Sequence, residues 1–275
     1  MMTERYGDVE TLRRTGDEIS REMSSTPLVA VQSLTKRFGD RTAVGGISFE
    51  IERGEIFGLL GPNGAGKSTT VNMLSTYLPP DSGEIWIRGL RVSASMEVKR
   101  LVGYVPQELA LYEDLTAAEN LDFFARMYDL SRSERRERVR EVMEAVGLAD
   151  RAGDAVRTFS GGMKRRLNLA LGIVHRPAFL MLDEPTAGVD PQSREKIFDI
   201  IRELQARGTT LLYTTHYMEE AEQLCDRIAI MDNGQIIAAG TLEELLRLRV
   251  ETIEIERPRG LEQLFLQLTG KRLRD

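Results

Sequence analysis

The stretch from Glu55 to Tyr77 restricts the fold more tightly than any other part of the chain. Glu55–Leu60 reads as a short buried strand that runs straight into Gly61, Pro62, Asn63, Gly64, Ala65, Gly66, Lys67, Ser68 and Thr69. Residues Thr69 to Tyr77 then suit a helix, which Pro79, Pro80, Asp81, Ser82 and Gly83 stop. A strand, a glycine-rich turn and a helix in that order belong to an α/β sheet. The spacing Gly61-x4-Gly66-Lys67-Ser68 fits a phosphate-binding loop at every position. Glycines let backbone N–H groups turn inward around an anion, and a helix N-terminus adds the positive end of its dipole. Lys67 is placed to reach the β- and γ-phosphates of a nucleotide, and the Ser68 hydroxyl to ligate Mg2+.

The remaining pattern extends this sheet. Strands are expected at Leu28–Lys36, Val44–Ile51, Glu84–Ile87 and Val102–Val105. From Glu108 to Thr158 the periodicity turns helical: Leu121, Phe124 and Tyr128 share one face, and Val139, Val142, Met143 and Val146 follow helical spacing. The charged run Arg132–Arg140 reads as the solvated side of that second helix. Another helix opens at Ser160, with Met163, Leu167, Ala170, Leu171 and Val174 on one face and Pro177 past its end. Phe179–Leu182 is a continuous apolar run, as in a strand buried on both faces of a parallel sheet. Asp190 and Pro191 form an N-cap with proline at the first helical position; Ile197, Ile200, Ile201 and Leu204 make the buried stripe, and Gly208 ends it. Strands at Thr210–Thr214 and Arg227–Met231 flank a helix near Met218–Leu224. After Gly240 come a strand, Glu251–Ile255, and a helix aligning Leu261, Leu264, Phe265 and Leu268. The fold class is α/β, with a helical subdomain inserted near 108–177.

Composition excludes several alternatives. With 275 residues, 41% hydrophobic and 29% charged, the chain buries a substantial core. A formal net charge of -6 gives no overall attraction to nucleic acid, so none is expected as a partner. The one cysteine, Cys225, supports no disulfide framework and suits a reducing cytoplasm, where it reads as a small buried filler. No apolar run approaches the ~18–20 residues that span a bilayer. Residues 1–27 are polar and read as a flexible tail rather than a secretory signal, so any membrane role is expected to come through a partner.

A phosphate loop needs a metal-binding carboxylate and a group to activate water. Asp183 and Glu184 end the Phe179–Leu182 run, at the carboxyl end of a strand, where ligands gather in parallel sheets. Asp183 suits Mg2+, and Glu184 suits polarising a water for attack on the γ-phosphate. Ser160, Gly161 and Gly162 open a helix with glycines that cost up to ~1 kcal/mol each in helix propensity. With Lys164, Arg165 and Arg166 crowded at that positive end, the segment reads either as an anion receptor or as a capped helix with a solvated basic face. His216 follows an expected strand at its carboxyl end and is a site candidate, whereas His175, at a helix end, reads as a favourable dipole contact.

In this order the motifs resemble the ATP-binding cassette (ABC) family, and the resemblance runs from about Leu28 to Asp275. It implies a P-loop NTPase core with a mixed sheet, an antiparallel β-subdomain and an inserted α-helical subdomain. It divides the chain into a 1–27 tail, a 28–240 ATPase domain and a 241–275 strand–helix tail. Gly61–Thr69 matches the Walker A loop and Phe179–Glu184 the Walker B strand. Gln107 matches the glutamine that senses Mg2+ and attacking water, and His216 the switch histidine on the γ-phosphate. Ser160-Gly161-Gly162 matches the signature, Asp190 the D-loop aspartate, and Phe38 the ring stacked on adenine. Phe159 and Met163 depart from the commonest signature, Leu-Ser-Gly-Gly-Gln, while keeping the serine and glycines that touch phosphate.

Leu111–Asn120, the Ser-Gly-Gly-Met variant, Thr215–Ala221 and the Leu261–Asp275 tail are similar to the drug-resistance class of ABC exporters. That class implies an ATPase that closes with a second copy of itself around Mg2+ and ATP. It also implies a separate integral membrane subunit, met through residues 108–160, with this chain on the cytoplasmic face of the membrane. An importer subunit shares the core chemistry but would favour a larger tail after Gly240. A nucleic-acid machine of the family would carry two cassettes or a coiled-coil insertion, and a non-enzymatic regulator would lack Glu184.

Overall fold

The computed structural model describes residues 26–92, 95–248 and 260–269. Residues 1–25 of the expected 1–27 tail and the expected strand Glu251–Ile255 lie outside the described residues. Two sheets organise the rest. The first is antiparallel, in the order β2-β1-β4-β5, from β1 (Val29–Phe38), β2 (Arg41–Ile51), β4 (Ser82–Ile87) and β5 (Leu90–Arg91). The second runs β10-β9-β3-β8-β7-β6. It contains β3 (Ile56–Leu60), β6 (Val102–Val105), β7 (Phe179–Asp183), β8 (Thr210–Thr215), β9 (Arg227–Asp232) and β10 (Gln235–Gly240). Its neighbours are parallel except for β10 on β9.

The apolar strands are apolar because both faces are covered. Along β7, Leu180 and Leu182 point into one core with the helices, while Phe179 and Met181 point into a second core against the antiparallel sheet. β8 does the same with Leu211 and Tyr213 on one side and Leu212 on the other. Phe49 of β2 stacks on Phe57 of β3 at 5.4 Å between the two sheets.

The helices that matter for the site are α1 (Lys67–Leu74), α5 (Gly161–Ile173), α6 (Pro191–Ala206) and α7 (Met218–Leu224). Between them in the chain lie α2 (Met96–Leu101), α3 (Ala117–Met127) and α4 (Arg132–Ala145), followed at the end by α8 (Leu242–Arg247) and α9 (Leu261–Thr269). Thr116 and Ser131 cap α3 and α4 with complete capping boxes to Glu119 and Glu134, which fixes where each begins. Leu121, Val142, Met143 and Val146 then bury their faces against Leu167 and Leu171 of α5. Leu261, Leu264 and Phe265 of α9 close a third core over α7. Among the described residues no helix is long and apolar enough to cross a membrane.

Several boundaries differ from expectation. α1 begins at Lys67 rather than Thr69 and ends at Leu74, with Thr76 at φ 68° turning the chain before the prolines. The short elements β5 and α2 carry too few residues to show a period, and β10 lies on a sheet edge where its pattern blurs.

Candidate active site

Strand order builds the site. β3, β8, β7 and β6 are adjacent and parallel, so their carboxyl ends bring together the phosphate loop, His216, Asp183 with Glu184, and Gln107. These groups are far apart in sequence and share one edge.

The loop follows β3 directly. Gly66 is the N-cap of α1 at φ 109°, a left-handed conformation suited to glycine, and a Cβ there would meet Ala43 O at 2.4 Å. Gly61 is equally constrained by close approach: a Cβ would lie 2.1 Å from Met231 O. The Lys67 ammonium, buried, donates to Gly61 O at 2.8 Å and Pro62 O at 3.3 Å, and lies 3.3 Å from Glu184 Oε1. Burial holds its pKa below the ordinary lysine value, partly offset by the Glu184 carboxylate.

Glu184 is the hub. Gln107 Nε2 donates to its Oε2 at 3.2 Å, and His216 Nδ1 lies 3.1 Å from the same oxygen, out of line for a hydrogen bond. Glu184 has φ 46°, a conformation unusual for a bulky residue, and its N–H donates to both the carbonyl and the hydroxyl of Thr214, at 3.2 and 3.0 Å. The strand beneath thus holds the carboxylate in a pose that the local backbone disfavours.

Asp183 accepts from Thr214 Oγ1 at 2.6 Å and from Ser68 Oγ at 3.3 Å. Burial raises its pKa and the Glu184 charge adds to that, while the two hydroxyls and Lys67 pull it down. A hydroxyl and a carboxylate at this spacing are hard oxygen donors that fit Mg2+, which keeps several waters and binds through one or two protein groups plus phosphate oxygens. Among the described residues no group of three or more His, Cys, Asp and Glu forms a cage of another kind.

Phe38, Arg41, Ala43, Asn63, Gly64, Gly66, Lys67, Ser68, Thr69, Gln107 and Glu184 line one open cleft of about 480 Å³, a volume in the range of nucleotide-sized sites. The Phe38 ring is 52% exposed at its mouth, a presentation that leaves a face for stacking and not a core contact.

A family profile, that of the ABC transporter, matches residues 44–187. The chain belongs to the ABC transporter family. It is 48% identical over 241 residues to the linearmycin resistance ATP-binding protein LnrL of Bacillus subtilis, covering 87% of this chain and 78% of that one. To the Nod factor export ATP-binding protein I of Ralstonia nicotianae it is 45% identical over 225 residues, covering 82% and 70%. Among solved structures, the dimeric post-hydrolysis state of the cassette MJ0796 bound to ADP and Pi superposes with a TM-score of 0.70 at 26% identity, covering 78% and 98%. The fold is that of the ABC ATPases, and the chain is an ATP-binding ATPase of this family.

The residues expected to form the signature and the D-loop lie apart from this cleft. Ser160 caps α5 through Met163 N at 3.3 Å and is exposed with Gly161. Asp190 caps α6 through Ser193 N at 2.9 Å. The two caps are neighbours: a Cβ on Gly162 would meet Ser193 Oγ at 2.2 Å. None of these residues lines the cleft around Lys67.

Each cation of the basic run of α5 has a partner within the chain. Lys164 pairs with Glu113 at 2.5 Å, Arg165 donates to the carbonyls of Gln107 and Ala187, and Arg166 to those of Val146 and Gly147. One expectation is corrected: His175 makes no charged dipole contact. Its ring stacks on Tyr128 at 3.7 Å with Nε2 against Val102 O at 2.9 Å, and burial pushes its pKa down to about 4. Arg138 supplies the cation at that helix end, donating to Ile173 O and Val174 O at 2.8 and 3.0 Å.

Sequence reasoning missed the hydroxyls and amides that hold these loops. Thr214 is one. Asn168 is another: buried on α5, it accepts from Ala110 N at 3.0 Å and donates to Pro106 O at 3.2 Å, bracing the Gln107 loop. Polar residues at buried helix or strand positions were the available signal.

Proposed function

We propose that this chain is the ATP-hydrolysing subunit of an exporter, working as a pair of copies beneath a separate membrane subunit. The observation that carries the reading is the convergence of Lys67, Gln107 and His216 on Glu184, beside a hydroxyl–carboxylate pair fit for Mg2+. The loop N–H groups and Lys67 bind the β- and γ-phosphates, and Phe38 stacks on the base. Ser68, Asp183 and Gln107 would hold Mg2+, which would supply neutralisation of the charge that develops on the phosphates. Glu184 orients and polarises the attacking water. His216 and Gln107 keep Glu184 and the γ-phosphate in line, and ATP plus water become ADP and phosphate.

Ser160, Gly161, Gly162 and Asp190 have no role in the cleft of their own copy. Two copies related by a two-fold axis bring them onto the partner's ATP, so the γ-phosphate binds better in the closed pair than in the open one. Export is supported by the resistance and export functions named for the two curated relatives. Residues 28–240 form the ATPase unit, and 108–160 its face toward the membrane subunit. The exposed Tyr112, packed edge-on to Phe123 at 5.2 Å with Met127 nearby in sequence, gives that face an apolar patch. The chain then sits on the cytoplasmic side of the membrane through its partner.

Light scattering on purified protein tests this. Glu184→Gln should dimerise with Mg-ATP, and adding Ser160→Arg should leave it monomeric. A Glu184→Gln protein that binds ATP tightly yet stays monomeric refutes the shared site.

A further inference from the structure

Glu220 stands out among the buried groups that the hydrolytic reading does not use. It is 2% exposed, and among the described residues it makes no ion pair. Its carboxylate accepts from three hydroxyls instead. Thr186 Oγ1 donates to Oε1 at 2.8 Å, while Tyr213 Oη and Thr215 Oγ1 each donate to Oε2 at 2.8 Å. The network continues outward: Tyr213 Oη lies 3.2 Å from Thr186 Oγ1, and Thr215 Oγ1 accepts from Tyr217 N at 3.0 Å.

The positions of these donors give the carboxylate its reach. Thr186 is two residues past Glu184, in the turn closed by Ala187 N on Glu184 O at 3.1 Å. Thr215 immediately precedes His216, and Tyr217 immediately follows it. One oxygen therefore grips the Glu184 turn, and the other grips the strand end and turn that carry His216. Both donors on Oε2 come from β8, whose Thr214 already holds the Glu184 N–H. A buried carboxylate takes its hydrogen bonds as charge-assisted ones, which are stronger and more sharply aimed than those between neutral groups. A neutral amide at this place has one acceptor oxygen where the carboxylate has two, so it cannot satisfy both sides in the same way.

We propose that Glu220 is a positioning residue for ATP hydrolysis: its carboxylate ties the Glu184 turn to the His216 turn and fixes the distance between those two side chains. The inference rests on the hydrolytic roles given above to Glu184 and His216. The hydrogen bonds of Glu220 go to Thr186, Tyr213 and Thr215 and not to the phosphate loop or Phe38, so it acts on the reaction through Glu184 and His216 rather than on the nucleotide directly. Loosening the tie lets Glu184 and His216 drift relative to each other, which slows the chemical step and leaves affinity alone.

Steady-state ATPase and fluorescent-nucleotide binding on the full chain test this, with wild type and Glu184→Gln as references. Glu220→Gln should lower kcat at least tenfold with the Kd for Mg-ATP changed less than twofold, measured well below its unfolding temperature. Thr186→Val and Thr215→Val should each lower kcat, and either one combined with Glu220→Gln should add little, because all three break one network. The proposal is overturned if Glu220→Gln keeps kcat within twofold of wild type. It is equally overturned if kcat and affinity fall together, or if the threonine variants add fully to it. Should Glu220→Gln not fold, Thr186→Val and Thr215→Val decide by the same split between kcat and affinity. A Glu184→Gln protein as active as wild type would instead remove the hydrolytic reading itself, independently of Glu220.

Discussion

Replacing Thr214 with valine deletes one hydroxyl while keeping the shape of a fully buried strand residue. That hydroxyl donates to Asp183 Oδ1 at 2.6 Å and accepts from Glu184 N at 3.0 Å. The Glu184 N–H keeps the Thr214 carbonyl at 3.2 Å, so the main loss is the bond to the carboxylate. A hydrogen bond to a charged group is worth about 1.5–3 kcal/mol, and the methyl recovers some of it, giving a net destabilisation of about 2 kcal/mol. The hydroxyl is also the strongest of the groups that pull the raised pKa of Asp183 back down. Without it, that pKa rises further above its unfolded value. A carboxyl with a raised folded pKa binds its proton first in the folded state, so its burden on stability is greatest at neutral pH and is relieved as pH falls. Urea unfolding of Thr214→Val against wild type, in EDTA, should show the deficit near pH 7 and a smaller one at pH 4.5. Thr214→Ser, which keeps the hydroxyl, should show a smaller loss with little pH dependence. Mg-ATP hydrolysis by Thr214→Val should fall tenfold or more. A deficit below about 0.5 kcal/mol, or one that is constant with pH, would refute the argument that this hydroxyl carries the Asp183 charge.

His175 predicts acid sensitivity of the opposite sign. Its folded pKa of about 4 lies below the unfolded value of 6.5, so the unfolded chain binds the extra proton between those values and stability declines as pH falls through that window. The decline amounts to at most roughly 3 kcal/mol, and His175→Phe, which keeps the stack on Tyr128, should flatten it in urea midpoints taken from pH 7 to pH 4.5. Gly162→Ala should cost about 1–3 kcal/mol, because its Cβ would lie 2.2 Å from Ser193 Oγ, and should lower ATPase activity by displacing the α6 cap. Gly161 has open space at the same point, so Gly161→Ala should leave thermal stability unchanged or slightly raised. A loss of stability in Gly161→Ala equal to that in Gly162→Ala would show that the Ser193 contact is not the cause.

Much of this protein is written locally in its sequence. The Glu55–Ser68 run specifies strand, turn and helix because glycine conformation and helix termini depend on neighbouring residues alone. Ser160 and Asp190 mark their helices as N-caps for the same reason. The apolar run Phe179–Leu182 announces a doubly covered strand because each of its side chains must leave water. What packing decided is the company these segments keep. Nothing in the spacing of Lys67, Gln107, Glu184 and His216 sets the order β3-β8-β7-β6, which depends on which strands pair across the sheet. The partners of the basic side chains of α5, Glu113 and carbonyls of other loops, come from distant parts of the sequence. His175 looked like a helix-end cation until burial against Tyr128 made the charge costly. Thr214 and Glu220 showed in the sequence only as polar residues at buried positions, since a hydroxyl or carboxylate acquires its role when the fold removes water and leaves a particular partner in its place.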